Sequence, residues 1–297
     1  MKIQSVIIFL LLLCLLHINC ASQPGKPSGT DQTIAADVKQ PPQVPAAVDC
    51  SKDLTVIDLT DQLTKNPEDT SLMYQLGERY LELKATAQAR DTFNKALKIA
   101  PDDKLLMIGL ANTYGDEGNV KEAETIYTKI LTADENNTDA LLSWGVMNYR
   151  EGIRKKDFDL LDIAKQKFDQ VLGIDPNNMK AHYNLGLLLT LKEDNKAALV
   201  EFEKVYSLDP KQGSVLHHTA RLAMQLKEWD KCQDYATKGL NMDGDPEFNY
   251  FLGKAAYEKK EYDKAKTELD KYIASGSDKA YLADARAILL ELAGLKK

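Results

Sequence analysis

The stretch TSLMYQLGERYLELKATAQARDTFNKALKIAPDD, 70–103, and the one that follows it, KLLMIGLANTYGDEGNVKEAETIYTKILTADENN, 104–137, overlay without a gap. Gly77 falls on Ala111, Ala89 on Ala123 and Phe93 on Tyr127, and Pro67 and Pro101 stand one period apart. Outward from this pair the pattern continues. Small side chains at Gly77, Ala111, Gly145, Gly186, Ala220 and Gly253 recur at intervals of 34, 34, 41, 34 and 33. A second small series, Ala89, Ala123, Ala164, Ala198, Cys232 and Ala265, trails the first at a spacing of 12, except in the third unit, where the spacing is 19. Four positions further on stand Phe93, Tyr127, Phe168, Phe202, Ala236 and Leu269. Two independent series with one period mark a structural repeat, and the spacing of apolar residues within each half is that of an amphipathic helix.

The residue types follow from packing. A small side chain at position 8 of each unit and another at position 20 let a first helix (A) approach a second (B) closely, while bulky residues at positions 4, 7, 11 and 24 fill the space around the crossing. Proline at position 32, as at Pro101, Pro176 and Pro210, has no amide hydrogen and disfavours helical geometry before it, so helix B ends there. A single hairpin buries too little to stand alone and must stack on neighbours.

Met73, Leu76, Gly77, Tyr80, Ala89, Phe93, Ala96 and Pro101 resemble the tetratricopeptide (TPR) pattern in all but its leading aromatic, and Tyr183, Asn184, Leu185, Gly186, Ala198, Phe202 and Pro210 do so nearly as well. The resemblance implies an all-α TPR α-solenoid, a right-handed superhelix of six helix-turn-helix repeats with terminal capping helices. The units are 70–103, 104–137, 138–178, 179–212, 213–245 and 246–279, within a TPR domain of 53–297 that opens on a half-repeat helix at 53–66 and closes on a capping helix at 280–295. Unit three carries seven extra residues, which predicts one extra turn on each helix or else an extended loop. Unit five is irregular, with Thr219 in the Leu slot, Ala236 in the Phe slot and Gly239 in the last small slot, so its packing is loose or its register shifts.

Ahead of the repeats, residues 1–19 read as a signal peptide: Met1 and Lys2 precede an apolar run from Val6 to Leu16 that is too short to span a bilayer. Cys20, just beyond it, resembles the acylated cysteine of a bacterial lipoprotein, although Leu16 stands four positions before it and Asn19 adjoins it. Simple cleavage and secretion is the alternative. Residues 20–52 then form a lipidated cysteine and a disordered linker containing Pro24, Pro27, Pro41, Pro42 and Pro45.

Charge and chemistry narrow the function. With 38 Lys+Arg against 45 Asp+Glu and a formal net charge of −7, the chain lacks the electrostatic footprint of a nucleic-acid binder. No glycine loop, HExxH motif or paired metal spacing is present, so no cofactor and no metal are expected. His217 and His218 are adjacent on a helix and point about 100° apart, His182 occupies a packing slot, and Cys232 stands where other units have Ala. No catalytic residue and no enzyme activity are expected.

The resemblance further implies that the A helices line a concave surface through positions 2, 5, 9 and 12. Here those slots hold Tyr74, Glu78, Ile108, Asn112, Leu142, Val146, Tyr149, Tyr183, Leu187, His217, Arg221, Tyr250, Lys254 and Tyr257, the candidate peptide-binding groove. Tyrosine offers a large contact area with little rotamer loss, which suits peptide recognition. An acidic or C-terminal carboxylate end of the partner is expected near His217, Arg221 and Lys254. The resulting expectation is a non-enzymatic scaffold with a protein or peptide in the groove and the membrane reached through the lipid, acting in envelope assembly or secretion complexes. A secreted or surface-exposed binding module is the alternative, and the oligomeric state stays open.

Overall fold

The structure, a computed structural model, describes residues 49–276 and 280–295. The expected signal peptide, Cys20 and the linker as far as residue 48 lie outside the described residues. Among the described residues there are fourteen helices and no strand, and none of the helices is long and apolar enough to cross a membrane. They fall into two compact units, one through Lys155 and one from Lys156.

The first unit holds α1 (Leu54–Lys65), α2 (Thr70–Glu82), α3 (Thr86–Ile99), α4 (Lys104–Asp116), α5 (Val120–Ala133) and α6 (Thr138–Lys155). Aspartates start several of these helices: Asp69 accepts from the Ser71 and Leu72 amides and Asp103 from those of Leu105 and Leu106, satisfying donors that the helix leaves free. Helices α1 and α3 end at Asn66 and Ala100, immediately before Pro67 and Pro101, as the missing amide hydrogen demands. The repeat's small-and-large code has a direct cause. Phe93 on α3 is fully buried, and a Cβ added at either Gly77 on α2 or Gly109 on α4 would come within 2.5 Å of its ring. One aromatic ring thus packs α3 against both A helices beside it. Helix α2 also touches α4, and α4 touches α6, so the A helices adjoin one another.

The second unit holds α7 (Phe158–Ile174), α8 (Met179–Leu191), α9 (Asn195–Leu208), α10 (Ser214–Gln225), α11 (Trp229–Met242), α12 (Glu247–Glu258), α13 (Tyr262–Ala274) and α14 (Leu282–Leu295). Gly186 meets the Phe202 ring as Gly77 meets Phe93. The irregular fifth repeat does not slip in register. Thr219, Ala236 and Gly239 are all buried, the left-handed turn residue Lys227 keeps its place in the unit, and the Phe248 ring from the following A helix lies where a Cβ on Gly239 would stand. Helix α14 buries Ala285, Ile288 and Leu292 and packs on α13 and α12.

The seven extra residues lengthen both helices of their repeat. Helix α6 has 18 residues and α7 has 17, against 13 in α2 and 14 in α3. The left-handed turn residue marks the division: Lys84 (φ 60°) is at position 15 counted from Thr70, while Lys156 (φ 57°) is at position 19 counted from Thr138. Four residues therefore go to the first helix and three to the second, about one turn each.

Candidate functional site

In the first unit the expected positions lie on α2, α4 and α6. Tyr74 is half-buried, with its ring 6.1 Å from that of Phe93. Burial, and then the charges of Glu78, Asp139 and Asp103, push its hydroxyl pKa up. One turn later Glu78 is also half-buried, and its carboxyl is raised chiefly by desolvation and further by Glu82 and Asp116. Its Oε1 is closed off from solvent and has no hydrogen-bond partner. Asn112 is fixed from behind, because the buried Tyr127 hydroxyl donates to its Oδ1 at 2.6 Å. Val146 is half-buried, whereas Ile108, Leu142 and Tyr149 are buried in the chain itself and offer a partner little surface.

Two groups that were not assigned to the groove complete this face. Arg150 Nη1 lies 2.5 Å from Asp116 Oδ1, and Lys84 Nζ lies 3.8 Å from Asp116 Oδ2. The sequence carries a signal for the first pair: Asp116 and Arg150 are one period apart, so they stand at the same level on adjacent A helices.

In the second unit the expected positions lie on α8, α10 and α12. The Tyr183 ring meets Phe202 edge-on at 5.7 Å, and Leu187 is buried. His218 stacks on Phe202 with centroids 4.6 Å apart, and Arg221 Nη2 reaches its Nδ1 at 3.4 Å, leaving Arg221 Nε buried without a partner. His217 faces the other way, over Phe248 at 4.1 Å. The two histidines diverge as helical geometry requires. His182, expected only to pack, is instead a polar staple: Nδ1 is 2.6 Å from Glu201 Oε2 and Nε2 is 3.0 Å from the Pro176 carbonyl.

The late A helix departs most from expectation. Tyr250 is covered, its hydroxyl donating to Asp284 Oδ2 at 2.9 Å and its ring stacked on Tyr281 at 4.2 Å. Lys254 Nζ already has carboxylates at 3.4 Å (Asp284) and 3.6 Å (Glu258), and His217 Nε2 has Asp245 Oδ2 at 3.2 Å. A carboxylate terminus arriving at His217 and Lys254 would meet these acids rather than free cations, which corrects the expected docking of an acidic end there. Tyr257 is tied to Glu291, a hydrogen bond that, together with burial, holds its hydroxyl at about 12. The physical reason is the cap. Counting on by one period from Tyr250 lands on Asp284, so α14 presents the corresponding positions of a following A helix and takes up the last stretch of the face.

Away from these faces, the buried thiol of the fifth repeat is shielded. Cys232 is sealed, its thiol pushed up to about 12 by desolvation, with Sγ 3.6 Å from the Phe251 carbonyl oxygen. Among the described residues no group of three His, Cys, Asp or Glu side chains converges to hold a metal ion.

Comparison with known proteins agrees with the repeat. Family models described as tetratricopeptide repeat match residues 80–143 and 180–212. The chain is 26% identical over 235 residues to the human protein O-mannosyl-transferase TMTC3, spanning 71% of itself but only 25% of that relative. It is 29% identical over 161 residues to the type IV pilus assembly protein PilF of Pseudomonas aeruginosa, spanning 54% of itself and 62% of that relative. A solved structure of Pseudomonas aeruginosa PilF superposes with a TM-score of 0.55 at 23% identity, covering 76% of this chain and 96% of that one.

Proposed function

The chain is a tetratricopeptide repeat protein of the all-α, α-solenoid class, and from that premise we propose that it is a non-enzymatic scaffold that binds a protein or peptide along its A helices. The observation that carries this reading is the composition of the α2–α4–α6 face. Tyr74, Glu78, Asn112 and Val146 keep part of their surface open there, in slots that the repeat does not need filled by those residue types. In the second unit Tyr183 and Arg221 offer a smaller surface of the same kind. Anchoring of the protein to a membrane through Cys20, with residues 1–19 removed, belongs to the same proposal on sequence grounds, as does a place in envelope assembly or secretion complexes. The similarity to a pilus assembly protein supports an assembly role.

Two experiments test the proposal. Arrayed peptides should bind the full chain and lose affinity on Val146→Asp or Tyr183→Ala, with helical circular dichroism as the control for folding; binding indifferent to both variants rejects the groove. The mature protein from its native host should have a mass lacking residues 1–19 and carrying acyl chains on Cys20. An intact N-terminus or an unmodified cysteine rejects the anchor.

A further inference from the structure

The cations nearest the α2–α4–α6 face are already engaged by acids of the chain. Arg79 reaches Asp53 and Glu82, both at 2.6 Å, and Arg150 and Lys84 converge on Asp116. Glu78 stands among them in the field of Glu82 and Asp116, and among the described residues no lysine or arginine forms an ion pair with it. Its Oε1 is shut away from water with no donor. A carboxylate oxygen in that state is costly unless something charged and hydrogen-bonding reaches it. The hairpin does not require an acid at this position, because the equivalent slot holds Asn112, Val146, Leu187, Arg221 and Lys254 in the other units. Tyr74, one turn earlier on α2, supplies an amphipathic ring beside the carboxylate.

We propose that the α2–α4–α6 face receives a partner polypeptide bearing a lysine or arginine, whose cation seats on Glu78 while the partner's adjoining apolar surface lies along Tyr74. The inference rests on the peptide-binding reading above and adds the charge of the partner. A polyanion is disfavoured by the same three acids, Glu78, Glu82 and Asp116. A cation drawn to the Glu78 carboxylate would pair its charge and offset the mutual repulsion of these carboxylates at once.

The test uses the full chain and its Glu78→Gln and Glu78→Lys variants on an array of random peptides of about 15 residues, roughly 50 Å when extended. Binders are remeasured by fluorescence anisotropy at low and high salt. Bound peptides should be enriched in Lys and Arg relative to the array. Replacing the key Lys or Arg by Gln should weaken binding about tenfold, Glu78→Gln should cause the same loss, and the two losses should not add. Glu78→Lys should shift the preference to Asp- and Glu-bearing peptides. No basic enrichment, or affinities unmoved by Glu78→Gln, overturns the inference, while the peptide-binding reading survives if Val146→Asp still weakens those binders. Peptides that bind nowhere on the chain remove both. Should Glu78→Lys fail to fold, the isosteric Gln variant decides the matter.

Discussion

Phe93 shows how one side chain dictates two others. Its buried ring occupies the space in which Gly77 and Gly109 would carry a Cβ, so the glycine at position 8 is a volume requirement set by an aromatic on the next helix. Gly77→Ala is expected to lower stability by about 1–3 kcal/mol, read from the midpoint of urea unfolding, because the buried ring also abuts Gly109 on its other side. Glu78 behaves oppositely, since its difficulty is electrostatic. A carboxyl raised above its ordinary 4.5 holds its proton in the folded chain to higher pH than in the unfolded one. Its contribution is therefore harmless below that value and becomes unfavourable as pH rises through the raised value. Glu78→Gln should increase Tm at about pH 7 and leave it unchanged at about pH 4, as followed by circular dichroism. The glycine was legible in the sequence because its cause lies within the same hairpin. The isolation of Glu78 was not, because it depends on where Arg79, Lys84 and Arg150 turn.

At the scale of the helix, each A helix hands over to its B helix through one residue in the left-handed region. That residue is Lys84, Glu193, Lys227 and Lys260 in four hairpins and Gly118 in a fifth, always the fifteenth of its unit. A side chain with a Cβ is strained there, whereas glycine is not. Lys227→Gly is expected to stabilise the chain by about 0.5–1 kcal/mol in urea titration, the relief of strain exceeding the added freedom of the unfolded chain. The same marker resolves the lengthened repeat. Periodicity predicts an extra turn on each helix, with an extended loop as the alternative, and the position of Lys156 shows that the helices took the residues. A helix extended by a whole turn keeps its apolar stripe facing the same way, so the insertion preserves both amphipathic faces.

Across the whole molecule, stability is built by neighbours, and a defect should spread no further than they do. Gly239→Ala drives a methyl into the Phe248 ring from the next A helix. Hydrogen exchange should quicken in α10–α13 and stay unchanged in α2–α4, and a uniform loss of protection would contradict the nearest-neighbour account. By itself the sequence determined the period, the helix pairs, the proline stops and the pairing of small with large residues, including the family. All of these arise from contacts within one hairpin or one period away, where spacing along the chain is a sufficient guide to distance. Tertiary structure alone decided which of the expected groove positions keep exposed surface. Tyr250, Lys254 and Tyr257 were consumed by Asp284, Tyr281 and Glu291 of the cap, and His217 by Asp245, while Glu78 was left unanswered. Exposure and ion pairing belong to surfaces assembled from several helices, and a slot number within one repeat does not record what the adjacent helix places over it.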